Sequence, residues 1–296
     1  MSIKSLLLVF DGYNHDLPAL NQALSLTQHS RSHLRVVHFA EPPILPETLG
    51  LGLYAGAIAD GPVIDLLEAT SRELTDTARA HTGSQCVHHG VPLLSDGEPG
   101  VMGQAAATFR VVVGTAADAL AREALVTDLV ILSWDNQPHG NFAGVLTALF
   151  GADQPVLLLP RHSAVTGYAD GFARTVVFGW DGSRASAQAL REAVPHMLHA
   201  DEVFLLRIAP QRQDADLVSE EDLLAYLHSH SVSADFVRAE RGTRTIGQAL
   251  LEEAQRLGAD LLAMGAYGHG HLSEMILGGV TDHVLKHGSL PLLLAH

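Results

Sequence analysis

An internal repeat constrains the fold of this chain more than any other feature of its sequence. The stretch FDGYNHDLPALNQAL starts at Phe10 and the stretch WDGSRASAQALREAV starts at Trp180, and they share an Asp-Gly pair and three apolar residues at the same offsets. Each copy follows a short apolar run and opens an amphipathic helical pattern. Such self-similarity indicates that the two halves of the chain fold as similar units.

The similarity continues to the end of each half. LRVVHFA, which ends at Ala40, matches VFLLRIA, which ends at Ala209, and the halves close on the strand patterns PVLLLP and PLLLAH. Each half therefore alternates five short strand patterns with four amphipathic helical patterns, which is typical of parallel strands joined by right-handed crossovers. We predict an α/β fold with two doubly wound, mostly parallel five-stranded sheet domains of Rossmann-like type in tandem.

The predicted domain boundary lies near RHSAVTGYADGFAR, so the domains are expected at residues 1–162 and 172–296. The first domain carries an insertion at about 41–107, between its second and third strands, where the second domain has only 24 residues. The insertion contains the glycine-rich stretch LGLGLYAGAIADGP and then the helical pattern VIDLLEATSRELTDTARAH. A lid over the crevice, a packed surface loop and a partner contact all remain open as its use.

Charge and apolar patterning exclude several classes of function. The net charge of −15 argues against a general nucleic-acid surface, so an anionic ligand would have to be held by local geometry. The longest apolar runs have the length of strands, and no membrane segment or signal peptide is predicted, which favours a cytoplasmic protein. The single cysteine, Cys86, excludes an internal disulfide and a cysteine-based zinc cage, and we expect a buried thiol.

A glycine-rich segment, GAYGHGHLSEMILGG, follows the fourth strand of the second half. Gly265 and Gly268 are expected to leave this strand with φ values closed to other residues and to expose backbone N–H groups. Gly278 and Gly279 precede a helix that starts near Val280, and the N–H groups and positive dipole end of such a helix can hold an anion of phosphate size. In a doubly wound sheet, this segment faces the ligand crevice where the strand order reverses.

The spacing G-2x-G-9x-G resembles the core motif of the universal stress protein family, and TVVFGWDGSRASAQAL resembles that family's first strand and helix. The whole chain resembles a tandem universal stress protein with two adenine nucleotide α-hydrolase-like domains. The resemblance implies that the C-terminal domain binds ATP or a related adenine nucleotide, with or without Mg²⁺. The implied residues run from the base and ribose to the phosphates: Asp181, Ile208, Met264, Gly265, Gly268, Gly278, Gly279, Val280 and Thr281.

Two residues of the second half depart from the family pattern. The pattern places Ser or Thr directly after the third glycine, where this chain has Gly279, so one donor to the terminal phosphate is missing, a loss of about 1 kcal/mol. The sequence leaves open whether Thr281, two residues on, replaces it. Trp180 is large for a position beside the base, where it would either stack on adenine or fill the pocket.

The first half departs much further from the pattern. When the copies are aligned, Ser133 and Asn136 replace Gly265 and Gly268, and the loop is four residues shorter. No phosphate site is predicted there, and the expected role of this half is to pair with the second. The resemblance implies antiparallel pairing of the last strands within one chain, and a homodimer is a further hypothesis.

The sequence predicts neither a metal site nor an enzyme. His283 and His287 are four apart on one predicted helix, but such spacings arise by chance among eighteen histidines and no H-E-x-x-H pattern occurs, so no metal site is predicted. Ser183 is predicted to be a helix N-cap, and no nucleophile, base and orienting group fall together. We predict a stress-response regulatory protein that binds an adenine nucleotide and is not an enzyme. A nucleotide-free interaction scaffold, with Trp180 filling the pocket, and a weak ATPase are the alternatives.

Overall fold

A computed structural model of the chain describes residues 3–40, 61–114, 116–135, 154–161, 173–209, 218–266 and 279–295. The N-terminal half contains β1 (Ser5–Val9), α1 (Leu17–Ser30), β2 (His33–Ala40), α2 (Gly61–His89), β3 (Leu93–Leu94), β4 (Ala106–Val113), α3 (Ala116–Ala124), β5 (Leu129–Trp134) and β6 (Val156–Pro160). The C-terminal half contains β7 (Thr175–Gly179), α4 (Arg184–Met197), β8 (Glu202–Ala209), α5 (Glu220–Ser229), β9 (Asp235–Glu240), α6 (Ile246–Arg256), β10 (Leu261–Gly265), α7 (Gly279–His287) and β11 (Leu292–Ala295).

The strands form one sheet in the order β3-β4-β2-β1-β5-β6-β11-β10-β7-β8-β9. Within each half all paired strands are parallel, with β1 between β2 and β5 and β7 between β8 and β10. The central strands read as continuous Leu- and Val-rich runs because helices cover both faces of the sheet. The prediction of a mostly parallel, doubly wound α/β fold is confirmed, and the strand order reverses between β1 and β5 and between β7 and β10.

Two apolar layers cover the faces of this sheet. One layer contains the buried side chains of α1, α2, α4 and α5, and the other contains those of α3, α6 and α7. Since neighbouring residues of a strand point to opposite faces, each strand contributes alternate side chains to the two layers. Among the described residues, none of the helices combines the length and the apolar character needed to cross a lipid bilayer.

An aspartate directly before β5 in the N-terminal half, and directly before β10 in the C-terminal half, holds the first strand of its half. Oδ2 of Asp128 accepts hydrogen bonds from two successive backbone N–H groups at the start of β1, at 2.7 and 2.9 Å. Oδ2 of Asp260 accepts the equivalent pair at the start of β7, at 3.1 and 3.0 Å. The repeat seen in the sequence is therefore a repeat of hydrogen bonding as well as of strand order.

The insertion of the N-terminal half supplies one strand more than the five predicted. The predicted helix is present as α2 and extends to His89, and the two-residue β3 then pairs with Ala107 and Thr108 of β4. Cys86 lies buried in this helix, as expected, and burial raises the pKa of its thiol to about 11. The thiol therefore stays protonated at neutral pH and is a packing residue.

The two halves meet where β6 and β11 pair antiparallel, with Leu158 opposite Leu292 and Leu157 opposite Leu293. Trp134 of the N-terminal half reaches the other half, since a Cβ added to Gly288 would lie 3.3 Å from its Cη2 atom. Because β6 and β11 run in opposite directions, the parallel strands of the N-terminal half and those of the C-terminal half point in opposite directions along the sheet. The crevices of the two halves therefore open in opposite directions.

Candidate functional site

The described members of the predicted site surround the switch point between β7 and β10. Asp181 follows β7, Ile208 lies near the end of β8, and Met264 pairs with Gly179 at the end of β10. Gly279, which begins α7, lies beside them because α7 is joined to the end of β10, as described below. Gly268 and Gly278, together with the rest of 267–278, lie outside the described residues.

The turn between β7 and α4 is built by side chains bonding to the backbone. Oδ1 of Asp181 accepts a hydrogen bond from the N–H of Ser183 at 2.8 Å, and Gly182 has a φ of +80° that favours glycine. The hydroxyl of Ser183 accepts from the N–H of Ser186 at 3.0 Å and caps α4, as predicted. Asp181 is exposed, so a turn aspartate also presents a carboxylate at the mouth of the crevice.

Gly265 has a different role from the one expected from the sequence. Its φ does not lie in the left-handed region, so the prediction that it leaves the strand with a glycine-only backbone angle is wrong. Instead, a Cβ at Gly265 would lie 3.4 Å from the backbone nitrogen of Ser186 and 3.5 Å from the carbonyl carbon of Ala185. An alanine methyl would just fit there, whereas a longer side chain would displace the first turn of α4. The glycine brings β10 against the helix.

The apolar residues of the site lie on one face of the sheet. Ile208 and Met264 are both buried in the layer that contains α6 and α7. A Cβ added to Gly179 would lie 3.3 Å from both terminal methyl carbons of Leu250 and 3.6 Å from Cβ of Met264. Gly179 and Leu250 thus lie beside Met264, and the sequence did not point to them, since only the packing of α6 on β7 brings them together.

Trp180 lies on the other face. Its side chain is 2 % exposed, and its ring centroid is 6.5 Å from that of Phe178 in the layer formed with α4 and α5. Its backbone N–H donates to the carbonyl of Leu206 at 2.9 Å, which continues the β7–β8 pairing for one more residue. Ile208 and Met264 lie on the opposite side of the sheet, which disfavours both expectations for Trp180, stacking on adenine and filling the pocket.

The N-terminus of α7 is fastened to the end of β10. The hydroxyl of Thr281 is buried and donates to the carbonyl oxygen of Ala266 at 3.0 Å, while the N–H of Ala266 donates to the carbonyl of Ala295 at 2.8 Å. Since the Thr281 proton is used in this way, the hydroxyl does not replace the donor missing at Gly279. Gly279 is exposed, and no atom of the described residues lies within 4 Å of a Cβ built there. The helix end is thus fixed, and no described side chain covers it at Gly279.

The histidines of α7 serve helix packing. A Cβ added to Gly247 of α6 would lie 2.8 Å from Cβ of His283, so the two helices touch at this glycine. The rings of His283 and His287 stack with centroids 4.2 Å apart, and Nδ1 of His287 lies 2.9 Å from the carbonyl oxygen of His283. Burial, followed by the neighbouring His287, lowers the pKa of His283. Within the described ranges, no three His, Cys, Asp or Glu side chains are grouped so that they could hold a metal ion.

The corresponding turn of the N-terminal half is covered by the insertion. Gly12 has a φ of +90°, and a Cβ there would lie 2.9 Å from Cβ of Ala78 in α2. Nδ1 of His81, also in α2, lies 3.1 Å from the carbonyl oxygen of Gly12. The described part of the insertion therefore packs on the N-terminal half, near the carboxyl end of β1. The crevice between β7 and β10 opens in the opposite direction. Asn136 lies outside the described residues.

Comparison with known proteins agrees with this architecture. Residues 173–296 match the sequence model of the universal stress protein family, so the C-terminal half of the chain is similar to the domains of that family. The resemblance of the glycine motif and of the first strand and helix is thereby confirmed for this half. No curated protein matches the chain.

The whole chain is also similar in structure to solved proteins of comparable length. A universal stress protein from Archaeoglobus fulgidus has a TM-score of 0.68 and 14 % identity, over 98 % of this chain and 96 % of that one. A functionally unknown protein from Pseudomonas aeruginosa has a TM-score of 0.58 and 13 % identity, over 99 % of this chain and 92 % of that one. At these identities the similarity concerns the fold, and it extends over both halves.

Proposed function

We propose that the C-terminal half binds ATP or a related adenine nucleotide, and that the protein is a stress-response regulator whose output depends on this occupancy. Asp181, Ile208, Met264 and Gly265 would border the base and ribose. Gly268, Gly278, Gly279, Val280 and the backbone N–H of Thr281 would line the phosphates. The observation that carries the proposal is the bond between Thr281 and Ala266, which holds an open helix N-terminus beside the strand switch point.

The charge of the chain supports a phosphate site made from backbone groups. With a net charge of −15, the protein as a whole repels a nucleotide, so binding has to come from local dipoles. The first turn of α7 supplies N–H groups that have no partner within the helix, and its positive dipole end favours an anion. A bound Mg²⁺ would lower the charge that these groups have to balance.

The position of Gly279 supports the same phosphate site and also bears on its affinity for nucleotide. A phosphate oxygen could approach the helix end there without meeting a side chain of the described residues. The same glycine lacks the hydroxyl of the family pattern, so affinity should be lower than in a chain with serine at this position. The nucleotide-free scaffold is disfavoured, since the side chain of Trp180 lies on the face of the sheet away from Ile208 and Met264.

Two linked measurements test the proposal. Native protein would be heat-denatured and the supernatant analysed for released nucleotide, and nucleotide-free protein would then be titrated with ATP and Mg²⁺ by calorimetry. We expect released or titratable adenine nucleotide. A Gly268→Asp variant should lose binding while its thermal unfolding stays cooperative, because a carboxylate would repel the phosphates. Unchanged affinity in that variant would place the ligand elsewhere.

We also propose that the chain is organised as the units 1–162 and 172–296, held together in solution by β6 and β11. The three opposed residue pairs of these strands and the approach of Trp134 to Gly288 support this arrangement. The pairing covers two strand edges that would otherwise be open to other chains. A homodimer, slow ATP hydrolysis and a cytoplasmic location stay predictions.

A further inference from the structure

The crevice of the N-terminal half contains the guanidinium group of Arg161. This residue directly follows β6, and its backbone N–H donates to the carbonyl of Trp134 at 2.8 Å, which extends the β5–β6 pairing. Nε donates to Oδ1 of Asp16 at 2.9 Å, and one terminal nitrogen donates to Oδ2 of Asp135 at 2.9 Å. Nε also lies 3.4 Å from the hydroxyl oxygen of Ser133. One planar cation thus joins β5, β6 and the start of α1.

Asp16 is the most deeply buried member of this group. Its side chain is 2 % exposed, compared with 18 % for Arg161 and 17 % for Asp135. It stands at the N-cap position of α1, but its carboxylate bonds Arg161 instead of capping the helix. An ionised carboxylate in this position needs a charged donor, because burying it unpaired is very costly. Nε2 of His15 lies 3.5 Å from Oδ2 of Asp16.

The guanidinium group of Arg161 occupies the place in the N-terminal half that corresponds to the crevice of the C-terminal half. When the two copies are aligned, Asp16 corresponds to Ser186 and Ser133 corresponds to Gly265. In the C-terminal half, this pair meets directly, through the close approach of Gly265 to the backbone of Ser186. In the N-terminal half, the same two positions carry side chains, and both side chains contact Arg161.

The charge around Arg161 distinguishes the two crevices. Asp11, Asp16 and Asp135 place three carboxylates around one guanidinium, with His15 and the buried His38 as the other titratable groups facing Asp11. Burial, and then the charge of Asp16, raises the pKa of Asp11. Such surroundings repel phosphates, and they favour a planar cation that donates several hydrogen bonds at once.

We propose that the N-terminal crevice is a guanidinium-binding site filled in cis by Arg161, and that this occupancy closes it to anionic ligands. The N-terminal half has kept the crevice of the fold but has changed the class of ligand that it accepts. This inference does not depend on nucleotide binding by the C-terminal half, because every contact that carries it lies between residues 11 and 161.

Chemical rescue tests the inference. In nucleotide-free buffer, Arg161→Ala should lower the Tm by about 10 °C, because it removes the guanidinium partner of the buried Asp16 and leaves only the half-exposed His15 near that carboxylate. Millimolar methylguanidinium should then raise the Tm of Arg161→Ala saturably, and methylammonium at equal ionic strength should not. Arg72→Ala is the matched control, since Arg72 is 73 % exposed and pairs only weakly with Glu68 on the surface of α2. Its Tm should stay near that of the wild type and should not respond to methylguanidinium.

A second variant covers the case in which Arg161→Ala does not fold. Arg161→Lys keeps the charge but loses the planar fork, so it should fold with a Tm between those of the wild type and the alanine variant. Equal rescue by methylammonium and methylguanidinium would overturn the proposal, since the site would then respond to charge alone. An Arg161→Lys protein as stable as the wild type would overturn it as well. Failure of nucleotide binding in the C-terminal half changes neither readout.

Discussion

The hydroxyl of Thr281 and the carbonyl oxygen of Ala266 are joined by a buried hydrogen bond of 3.0 Å. These two residues stand on either side of 267–278, so the bond brings together the strand end and the helix start between which the glycine motif runs. It fixes the direction in which α7 presents its first N–H groups. The same bond consumes the hydroxyl that could have served as a phosphate donor.

Replacing Thr281 by valine should loosen this junction. The substitution keeps the shape of the side chain but leaves the buried carbonyl of Ala266 without its donor, which should lower the free energy of unfolding by about 1–3 kcal/mol. Thr281→Ser, which keeps the hydroxyl, should lose much less. Urea denaturation of both variants measures the difference. If Thr281→Val proves as stable as the wild type, the bond does not hold the helix in place.

Serine at position 279 should strengthen nucleotide binding. The backbone at Gly279 is not left-handed and a Cβ there meets no described atom, so the side chain should be accepted without strain. One added hydrogen bond to a phosphate, at about 1 kcal/mol, corresponds to roughly a fivefold lower Kd. Gly279→Ala is the control and should show no gain. Calorimetric titration with ATP and Mg²⁺ measures all three proteins, and equal gains for serine and alanine would argue against a hydroxyl contact.

Trp180 should matter for stability and not for the ligand. Trp180→Phe leaves a void in the layer between the sheet and α4 and should lower the free energy of unfolding by about 1–3 kcal/mol. Nucleotide affinity should stay within about twofold, because the ring lies on the face of the sheet away from Ile208 and Met264. Comparing urea midpoints with ATP titrations separates the two effects. A large rise in affinity would instead indicate that the ring had been occupying the pocket.

His196 should make the protein sensitive to mild acid. Burial lowers the pKa of His196 to about 4, and among the described residues its Nδ1 has no hydrogen-bond partner. The unfolded chain takes up a proton near pH 6.5, whereas the folded chain keeps His196 neutral until about pH 4. Its contribution is therefore absent above pH 6.5, lowers the free energy of unfolding as the pH falls, and levels off near pH 4 at roughly 3 kcal/mol.

A His196→Leu variant isolates this contribution. Leucine cannot titrate, so its free energy of unfolding should fall less steeply between pH 6.5 and 4.5 than that of the wild type. Urea denaturation at several pH values gives both curves. The exposed His228 offers a matched control, because His228→Leu should leave the slope of the wild type almost unchanged. Parallel curves for wild type and His196→Leu would show that this histidine is not held neutral by the fold.

The sequence was informative wherever the fold depends on local pattern. Alternating strand and helix patterns predicted the doubly wound sheet, and the Asp-Gly-Ser turn predicted the cap of α4 by Ser183. Asp128 and Asp260 align the two copies in the sequence, and in the structure each accepts hydrogen bonds from the first strand of its half. These features involve residues whose type already limits the backbone that they can support.

Other parts of the site depended on packing between distant segments. The side of the sheet on which Trp180 lies follows from where β7 ends and which helix covers it, and a run of apolar residues does not specify this. The ion pair of Arg161 with Asp16 joins positions 145 residues apart, with no spacing to suggest it. The approach of Gly265 to α4 is likewise a contact between elements, whereas the sequence predicted a glycine-only backbone angle there.

The number of nucleotide sites in the intact chain tests the roles of both crevices most directly. Calorimetric titration of nucleotide-free protein with ATP and Mg²⁺ should give one site per chain, because the C-terminal crevice presents an open helix N-terminus and the N-terminal crevice presents carboxylates around Arg161. An absence of heat up to millimolar ATP would contradict the C-terminal site. Two sites per chain would contradict the closure of the N-terminal crevice.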